Sequence, residues 1–266
     1  MKNAIAILLF GAAPLSAGEL PELFDKPWTS WYSGYEGKRF HFGVDPDGEA
    51  SLMPINKKDK NRVSQHSFFR ILPNVVETMP NGRQVIKKPK EDGWEAVTPE
   101  SAEAEKVHFR GTVTGGATYE VIFEIDGDEV FASGQILDKG EIENPVHFEM
   151  QVRVPNTYRH TKDEDQLEDK LKGDRFDFVL TNRKKAKFKG TAELGEVMEE
   201  CESVRSARVE IDYYQGARLE LDGSDLGAIV IKGKDTSPVG KGFTFIWKPD
   251  PAKNAGAKAK LTMQFK

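Results

Sequence analysis

The sequence has very little cysteine: Cys201 is the only one among 266 residues. A single cysteine cannot form an internal disulfide, so the stability of the fold must come from an ordinary hydrophobic core. Cys201 stands between Glu200 and Glu202, and neighbouring carboxylates raise the pKa of a thiol. We therefore expect no role for Cys201 as a reactive nucleophile.

The chain also lacks an excess of positive charge. Lys and Arg together number 38 and Asp and Glu together number 43, which gives a formal net charge of −5. Nucleic acids and anionic membranes attract proteins with basic surfaces, so we expect neither as a partner.

A short apolar run stands at the start of the chain, from Ala4 to Leu15, after one lysine and before the small residues Ser16 to Gly18. This order is typical of a secretory signal peptide. The run is shorter than the roughly 20 apolar residues that a membrane-spanning helix needs. We therefore predict a signal peptide over residues 1–17 and an exported protein, secreted or periplasmic. We expect no transmembrane segment after signal removal.

Alternation of apolar and polar residues is the strongest pattern after residue 38. Successive side chains of a strand point to opposite faces, so alternation predicts strands with one face in a core and one in water. The clearest case is VHFEMQVRV at residues 146–154. The same alternation occurs at residues 39–44, 106–113, 118–126, 207–214, 217–223, 242–247 and 261–265.

Tight-turn signals separate these segments. Asp47-Gly48, Asn81-Gly82, Asp126-Gly127 and Asp222-Gly223 are pairs that tolerate the positive φ of hairpin turns. The pattern predicts an all-β, antiparallel β-sandwich of about ten or more strands, of which a large, twisted two-sheet sandwich is one form. We predict a single domain over residues 18–266. Two lobes, residues 19–157 and 174–266, are the alternative, because a charged insertion separates these stretches.

Helix signals are scarce, and we expect at most one or two short surface helices. The segment TKDEDQLEDKLK carries Leu167 and Leu171 four residues apart, with acids at its start and lysines at its end. This order complements the helix dipole and predicts a helix over about residues 163–172, with a charged loop as the alternative. Residues 197–204 are a second helical turn or a connecting loop.

Three histidines, His41, His108 and His147, each precede a phenylalanine of an apolar series. Each imidazole must therefore point to the polar face of its strand. Three such groups on neighbouring strands would suffice to hold a zinc ion. The sequence contains neither H-x-H nor H-E-x-x-H, so we favour ordinary polar strand faces and expect no metal and no other cofactor.

Carboxylates are too numerous to identify an active site from sequence. Residues 45–49, D-P-D-G-E, resemble part of a calcium loop, but the proline and a missing third aspartate favour a plain hairpin turn. Glu120 with Glu124, or Glu210 with Asp212, are candidate pairs for glycoside hydrolysis. No G-x-S-x-G and no Gly-rich phosphate loop occurs, so we predict no catalytic residue.

An aromatic cluster near the start of the predicted mature chain is the most distinctive local feature. Trp28, Trp31, Tyr32 and Tyr35 lie within eight positions of one another. Exposed Trp and Tyr rings stack on sugars and anchor protein interfaces, so these four residues are the predicted ligand-binding site. The alternative is that they cover one end of the core.

These observations favour an exported, non-catalytic protein that binds an extracellular glycan or a protein surface. One alternative is a carbohydrate-active enzyme on a large sandwich, which requires a cleft with a carboxyl group of raised pKa. A structural or assembly protein of the cell envelope is the other. Fold class cannot choose among the three, because sandwiches carry all of them.

Overall fold

The computed structural model describes residues 22–23, 26–27, 32–55, 67–224, 226–250 and 258–266, and antiparallel strands make up most of this part of the chain. In chain order the strands are β1 (Glu22–Leu23), β2 (Lys26–Pro27), β3 (Ser33–Glu36), β4 (Phe40–Val44), β5 (Ala50–Pro54), β6 (Phe69–Thr78), β7 (Gln84–Ile86), β8 (Pro89–Ala96), β9 (Lys106–Val113), β10 (Thr118–Asp126), β11 (Glu129–Asp138), β12 (Val146–Val154), β13 (Arg175–Leu180), β14 (Lys185–Lys189), β15 (Val204–Glu210), β16 (Arg218–Asp222), β17 (Gly227–Lys232), β18 (Phe243–Pro249) and β19 (Leu261–Phe265).

The strands form two layers that continue into one another as a curled sheet. The first sheet has the order β3-β4-β5-β6-β12-β18-β17, with β7 beside the second half of β6. The second sheet has the order β8-β9-β10-β11-β19-β16-β15-β13-β14. Val204 of β15 pairs with Ile229 of β17 and joins the two. The predicted antiparallel β-sandwich is confirmed.

The core lies between the two sheets and contains the apolar half of each alternating segment. Phe42 of the first sheet packs edge-on against Phe123 of the second, with ring centres 5.3 Å apart. Phe178 and Phe245 make a similar contact at 6.2 Å. These aromatic contacts between the sheets explain why the phenylalanines of the alternating segments are almost completely buried.

Three of the four predicted Asx-Gly turns have the expected backbone. Gly48, Gly82 and Gly127 have φ angles of +83°, +79° and +58°. At the fourth pair the left-handed residue is Ser224, with φ of +61°, so the turn is one residue later than the sequence suggests. The 45–49 segment is the hairpin turn between β4 and β5, with the Gly48 amide donating to the Asp45 carbonyl at 2.9 Å.

In the described part of the chain, two short α-helices interrupt the strands. Helix α1 (Glu164–Gly173) begins after Asp163, whose carboxylate accepts a hydrogen bond from the Gln166 amide at 2.8 Å, so the predicted helix is confirmed. Helix α2 (Leu194–Glu200) begins three residues before the helical turn suggested at 197–204. Its buried Leu194 and Val197 fix it to the core. No helix in the described ranges is both long and apolar enough to cross a membrane.

Cys201 directly follows α2 and is buried. Burial and the charge of Glu200 raise the pKa of its thiol to about 11. The thiol therefore stays protonated at neutral pH and packs as a small apolar group. The predicted signal peptide at residues 1–17 lies outside the described residues, and the single domain over 18–266 stays a prediction.

Candidate ligand groove on the second sheet

A groove of about 700 Å³ crosses the outer face of the second sheet. It extends over β11, β19, β16, β15, β13 and β14. On these strands the apolar residues face the core, so the residues between them face the groove. The polar side chains along it include Asp177, Ser206, Arg208, Glu220, Asp222 and Gln264.

Strand register arranges these side chains in a row of alternating charge. Asp177 lies opposite Lys187 on one side and Arg208 on the other. Arg208 lies opposite Glu220, and Glu220 lies opposite Gln264. Opposite charges at directly facing positions attract each other, so this row both stabilises the sheet and orients its polar groups.

Glu220 is the centre of the row. Its carboxylate accepts hydrogen bonds from Lys266 Nζ at 2.6 Å and Arg208 Nε at 3.1 Å, and Arg218 Nε lies 3.8 Å away. Burial on its own raises the pKa of Glu220, but Lys266 and Arg208 outweigh burial and hold the pKa below its usual value. Glu220 is therefore ionised at neutral pH and acts as a hydrogen-bond acceptor rather than a proton donor.

The same face continues across β9, β10 and β11. Glu120 accepts a hydrogen bond from Gln135 Nε2 at 2.5 Å and lies 3.2 Å from His108 Nε2. Glu124 pairs with Lys260 and lies 3.6 Å from Lys106 Nζ. The hydrogen bond from Lys260 lowers the pKa of Glu124. The two carboxylates considered for glycoside hydrolysis thus have separate partners.

The second candidate pair, Glu210 and Asp212, is not held together by the sheet. Glu210 is the last residue of β15 and lies opposite Arg218 and Arg175. Asp212 follows in a short 3₁₀ turn and is exposed. Glu210 therefore extends the charged rows of the sheet, and the chain turns away from the sheet at Asp212.

Two carboxyl groups with raised pKa lie away from the groove. Burial, with the nearby charge of Asp47, raises the pKa of Asp45 to about 6 in the β4–β5 turn. Burial also raises the pKa of Asp174 to about 6. Asp174 follows α1 and accepts hydrogen bonds from Tyr158 Oη at 2.8 Å and the Asp212 amide at 2.9 Å. Neither group lines the groove.

The predicted aromatic site is only partly within the described residues. Trp28 and Trp31 lie outside them. Tyr32 is half-buried, its hydroxyl donates to the Thr98 carbonyl, and its ring packs edge-on against Trp94 at 4.7 Å. Tyr35 is half-buried, with its ring 6.1 Å from that of Phe40. Both tyrosines border the core, and neither lines the groove; their role in binding stays a prediction.

The three histidines lie on separate strands with separate surroundings. His41 is on β4 of the first sheet, where burial lowers the pKa of its imidazole. His147 is on β12 of the same sheet, separated from β4 by β5 and β6, with Nε2 3.6 Å from Glu149. His108 is on β9 of the second sheet beside Glu120. Among the described residues no group of three His, Cys, Asp or Glu could hold a metal ion.

The sequence pattern does not identify the groove residues. Alternation in ARVEIDYY and ARLELDG predicts strands, but their polar residues look the same as those of any solvated strand face. One sequence feature does point to the groove: consecutive strands carry opposite charges at their polar positions. In the structure, Arg208 of β15 lies opposite Glu220 of β16. The presence of β19 in the groove cannot be read from nearby sequence, because β19 pairs with β16 although it lies about 40 residues further along the chain.

No protein-family model and no curated protein matches the sequence. Among solved structures, alpha-N-acetylgalactosaminidase NagBb from Bifidobacterium bifidum with GalNAc aligns at 8% identity over 88% of this chain, with a TM-score of 0.50. Its complex with Gal-NHAc-DNJ aligns at 9% identity over the same share, with a TM-score of 0.51. A galactose mutarotase related enzyme from Lactobacillus acidophilus aligns at 8% identity over 88% of this chain and 96% of its own, with a TM-score of 0.49.

The chain spans only part of NagBb, 35% of that protein's length. At such low identity the common property is the fold. The chain therefore has the same kind of large antiparallel β-sandwich as the corresponding region of NagBb.

Proposed function

We propose that this is an exported protein that binds a glycan in the groove of the second sheet. The observation that carries the proposal is the row of ion-paired donors and acceptors centred on Glu220. Sugar hydroxyl groups both donate and accept hydrogen bonds, and fixed carboxylate, guanidinium and amide groups are suited to both. The N-terminal sequence pattern supports export.

The size of the groove supports a ligand of several rings or a short oligosaccharide. Its volume of about 700 Å³ lies within the roughly 300–1,000 Å³ of typical ligand sites. The shared fold supports the same class of ligand, because NagBb is an N-acetylgalactosaminidase and its structure holds GalNAc.

Binding without catalysis fits the electrostatics at the centre of the groove. A general acid for glycoside hydrolysis needs a raised pKa, whereas the cations around Glu220 lower its pKa. The second candidate function, a sugar-processing enzyme, is favoured by NagBb being an enzyme. Incubating the protein with each sugar that it binds and following product formation by NMR separates the two candidates.

Replacing Arg208 with Ala is expected to weaken glycan binding about tenfold or more, because a hydrogen bond to a charged group contributes roughly 1.5–3 kcal/mol. A glycan panel screened by thermal shift identifies the ligand first. A ligand at a hundred times its dissociation constant stabilises the fold by about 2.7 kcal/mol, a shift of roughly 5–10 °C. Calorimetry on the wild type and on Arg208→Ala then gives the two affinities.

Arg153→Ala is the matched control, since Arg153 is an exposed arginine on β12 of the first sheet. It is expected to bind the glycan as the wild type does. Equal weakening in both variants, or a panel without any bound glycan, contradicts the proposal.

The aromatic cluster of Trp28, Trp31, Tyr32 and Tyr35 remains the proposed contact for a protein surface. Tyr32 and Tyr35 border the core, so their replacement by Ala is expected to lower stability as well as any binding. Replacing Trp28 and Trp31 together, with pull-down of partners by the wild type as reference, tests this alternative. If this double variant no longer captures the partner and its melting temperature is unchanged, the aromatic cluster rather than the groove is the binding site.

A further inference from the structure

The two ends of the groove carry opposite charges. Its β14 end carries Lys185 and Lys187, and its opposite end carries Glu129 and Asp222. The cationic end belongs to the run RKKAKFK at residues 183–189, which has five cations and no acid. The chain as a whole is acidic, so this run is a local concentration of positive charge.

The strand geometry directs these lysines to the face of the groove. Ala186 is buried, and the ring of Phe188 packs against Phe178 at 5.9 Å. Because successive side chains alternate, Lys185 and Lys187 point away from the core, and so does Lys189. All three are exposed.

Among the described residues, negative charge does not balance this cluster. Lys185 lies opposite Val179, and Lys189 lies opposite Arg175, a like-charge pair that destabilises a sheet. Lys187 lies opposite Asp177, which also lies 3.9 Å from Arg208 Nη1. Within the described ranges no ion pair reaches any of the three lysines. At the β19 side, by contrast, Lys266 is bound to Glu220.

Protection of an edge strand explains only part of this charge. Lysines on an exposed edge such as β14 prevent pairing with another chain. Arg175 and Arg208, however, lie on β13 and β15, which are interior strands, and their side chains share the same face. Arg175 therefore adds to the positive charge beside the β14 end of the groove, whereas the charge of Arg208 is paired with Glu220.

We propose that the ligand of the groove is an acidic glycan whose carboxylate or sulfate groups bind Lys185 and Lys187. This inference rests on the proposed glycan-binding function and specifies its ligand class. The anionic groups neutralise the cationic end, while Asp222 and Gln264 bind uncharged hydroxyl groups at the other end. Exposed lysines on one face at alternate strand positions match a ligand with charges repeated along a chain.

The test compares an α-1,4-linked oligogalacturonate with its carboxyl-reduced form, which is the same chain without charge. A heparin-derived sulfated oligosaccharide forms a second arm, so that carboxylate and sulfate are distinguished. Calorimetry at about 50 mM salt is expected to give at least tenfold tighter binding of one acidic chain than of the neutral one. The difference is expected to shrink at about 0.5 M salt, because exposed charges are screened there.

The double variant Lys185→Gln/Lys187→Gln is expected to lose roughly tenfold in affinity for the acidic chain. Lys232→Gln/Lys234→Gln removes the same charge from exposed positions at the end of β17 and is expected to have little effect. Retained affinity of the first double variant, or equal loss in both, overturns the proposal.

The outcomes also separate this inference from the proposed function. Equal binding of charged and reduced chains, lost in Arg208→Ala, overturns the acidic ligand and leaves glycan binding standing. A protein that binds neither chain and no sugar of the wider panel contradicts both. Binding of a single-stranded DNA oligomer as tight as that of the acidic chains overturns selectivity for a glycan.

Discussion

Replacing Trp247 with Ala is expected to lower the free energy of unfolding by about 3–5 kcal/mol, the usual range for removing a large buried aromatic residue. Trp247 is completely buried on β18, between β12 and β17. Its Nε1 donates to the Gly223 carbonyl at 3.1 Å. Gly227 lies so close that a Cβ atom there would come within 2.3 Å of Nε1.

Urea denaturation followed by circular dichroism measures the effect. Trp247→Phe keeps most of the ring volume and loses the hydrogen bond, so a smaller loss than for Ala is expected. Thr244→Ala, a half-buried position on the same strand, serves as the control. If Trp247→Ala lowers the free energy of unfolding by less than about 1 kcal/mol, Trp247 is not packed in the core.

A large pH effect on stability is expected from Asp174, whose side chain is completely buried. Burial raises the pKa of this carboxyl in the folded protein to about 6, against roughly 3.9 in an unfolded chain. The folded state therefore binds the proton more tightly. The contribution of Asp174 to stability is complete below about pH 4 and is lost as the pH rises through 6. The difference between the two pKa values corresponds to about 2–3 kcal/mol in the free energy of unfolding.

Asp174→Asn removes this titration while keeping an oxygen that accepts the hydrogen bonds from Tyr158 and the Asp212 amide. Between pH 4 and pH 7 the wild type is therefore expected to lose about 2–3 kcal/mol relative to the Asn variant. Glu124 and Glu220 have lowered pKa values and therefore stabilise the fold at pH values above the usual pKa of a glutamate, which is the opposite effect. Both proteins contain these residues, so comparing the two proteins at each pH cancels that contribution.

Tyr158→Phe gives a second check on the same group. The tyrosine hydroxyl lowers the pKa of Asp174 by donating a hydrogen bond, so its removal is expected to enlarge the total loss of stability and to extend that loss to higher pH. Parallel stability curves for the wild type and Asp174→Asn from pH 4 to pH 7 would show that Asp174 is not the responsible group.

The burial of Asp174 cannot be predicted from the sequence around it. In the sequence it stands between a charged helix and an arginine, a context typical of an exposed residue. Its burial results from packing against Tyr158 and against the glycine backbones at residues 190 and 240, which come from separate parts of the chain. No local pattern contains that information.

The groove depends on tertiary structure for the same reason. Local alternation correctly separates Leu219 and Leu221, which are buried, from Glu220 and Asp222, which face outward. It does not reveal that β19 lies beside β16, or that Lys266 reaches the carboxylate of Glu220. Pairing between distant strands is decided by how both sheets fill the core together.

The sequence by itself determined the fold class, most of the tight turns and helix α1, because periodicity, turn residues and helix caps act over a few neighbouring residues. In the alternating segments it also determined which apolar side chains enter the core, but not that Glu149 and Gln151 on the polar face of β12 are buried. Only the tertiary structure decided which outward faces adjoin, where the groove lies and which carboxyl groups change their pKa. These properties depend on contacts between residues far apart in the chain, and burial, charge pairing and strand register arise only when those residues meet.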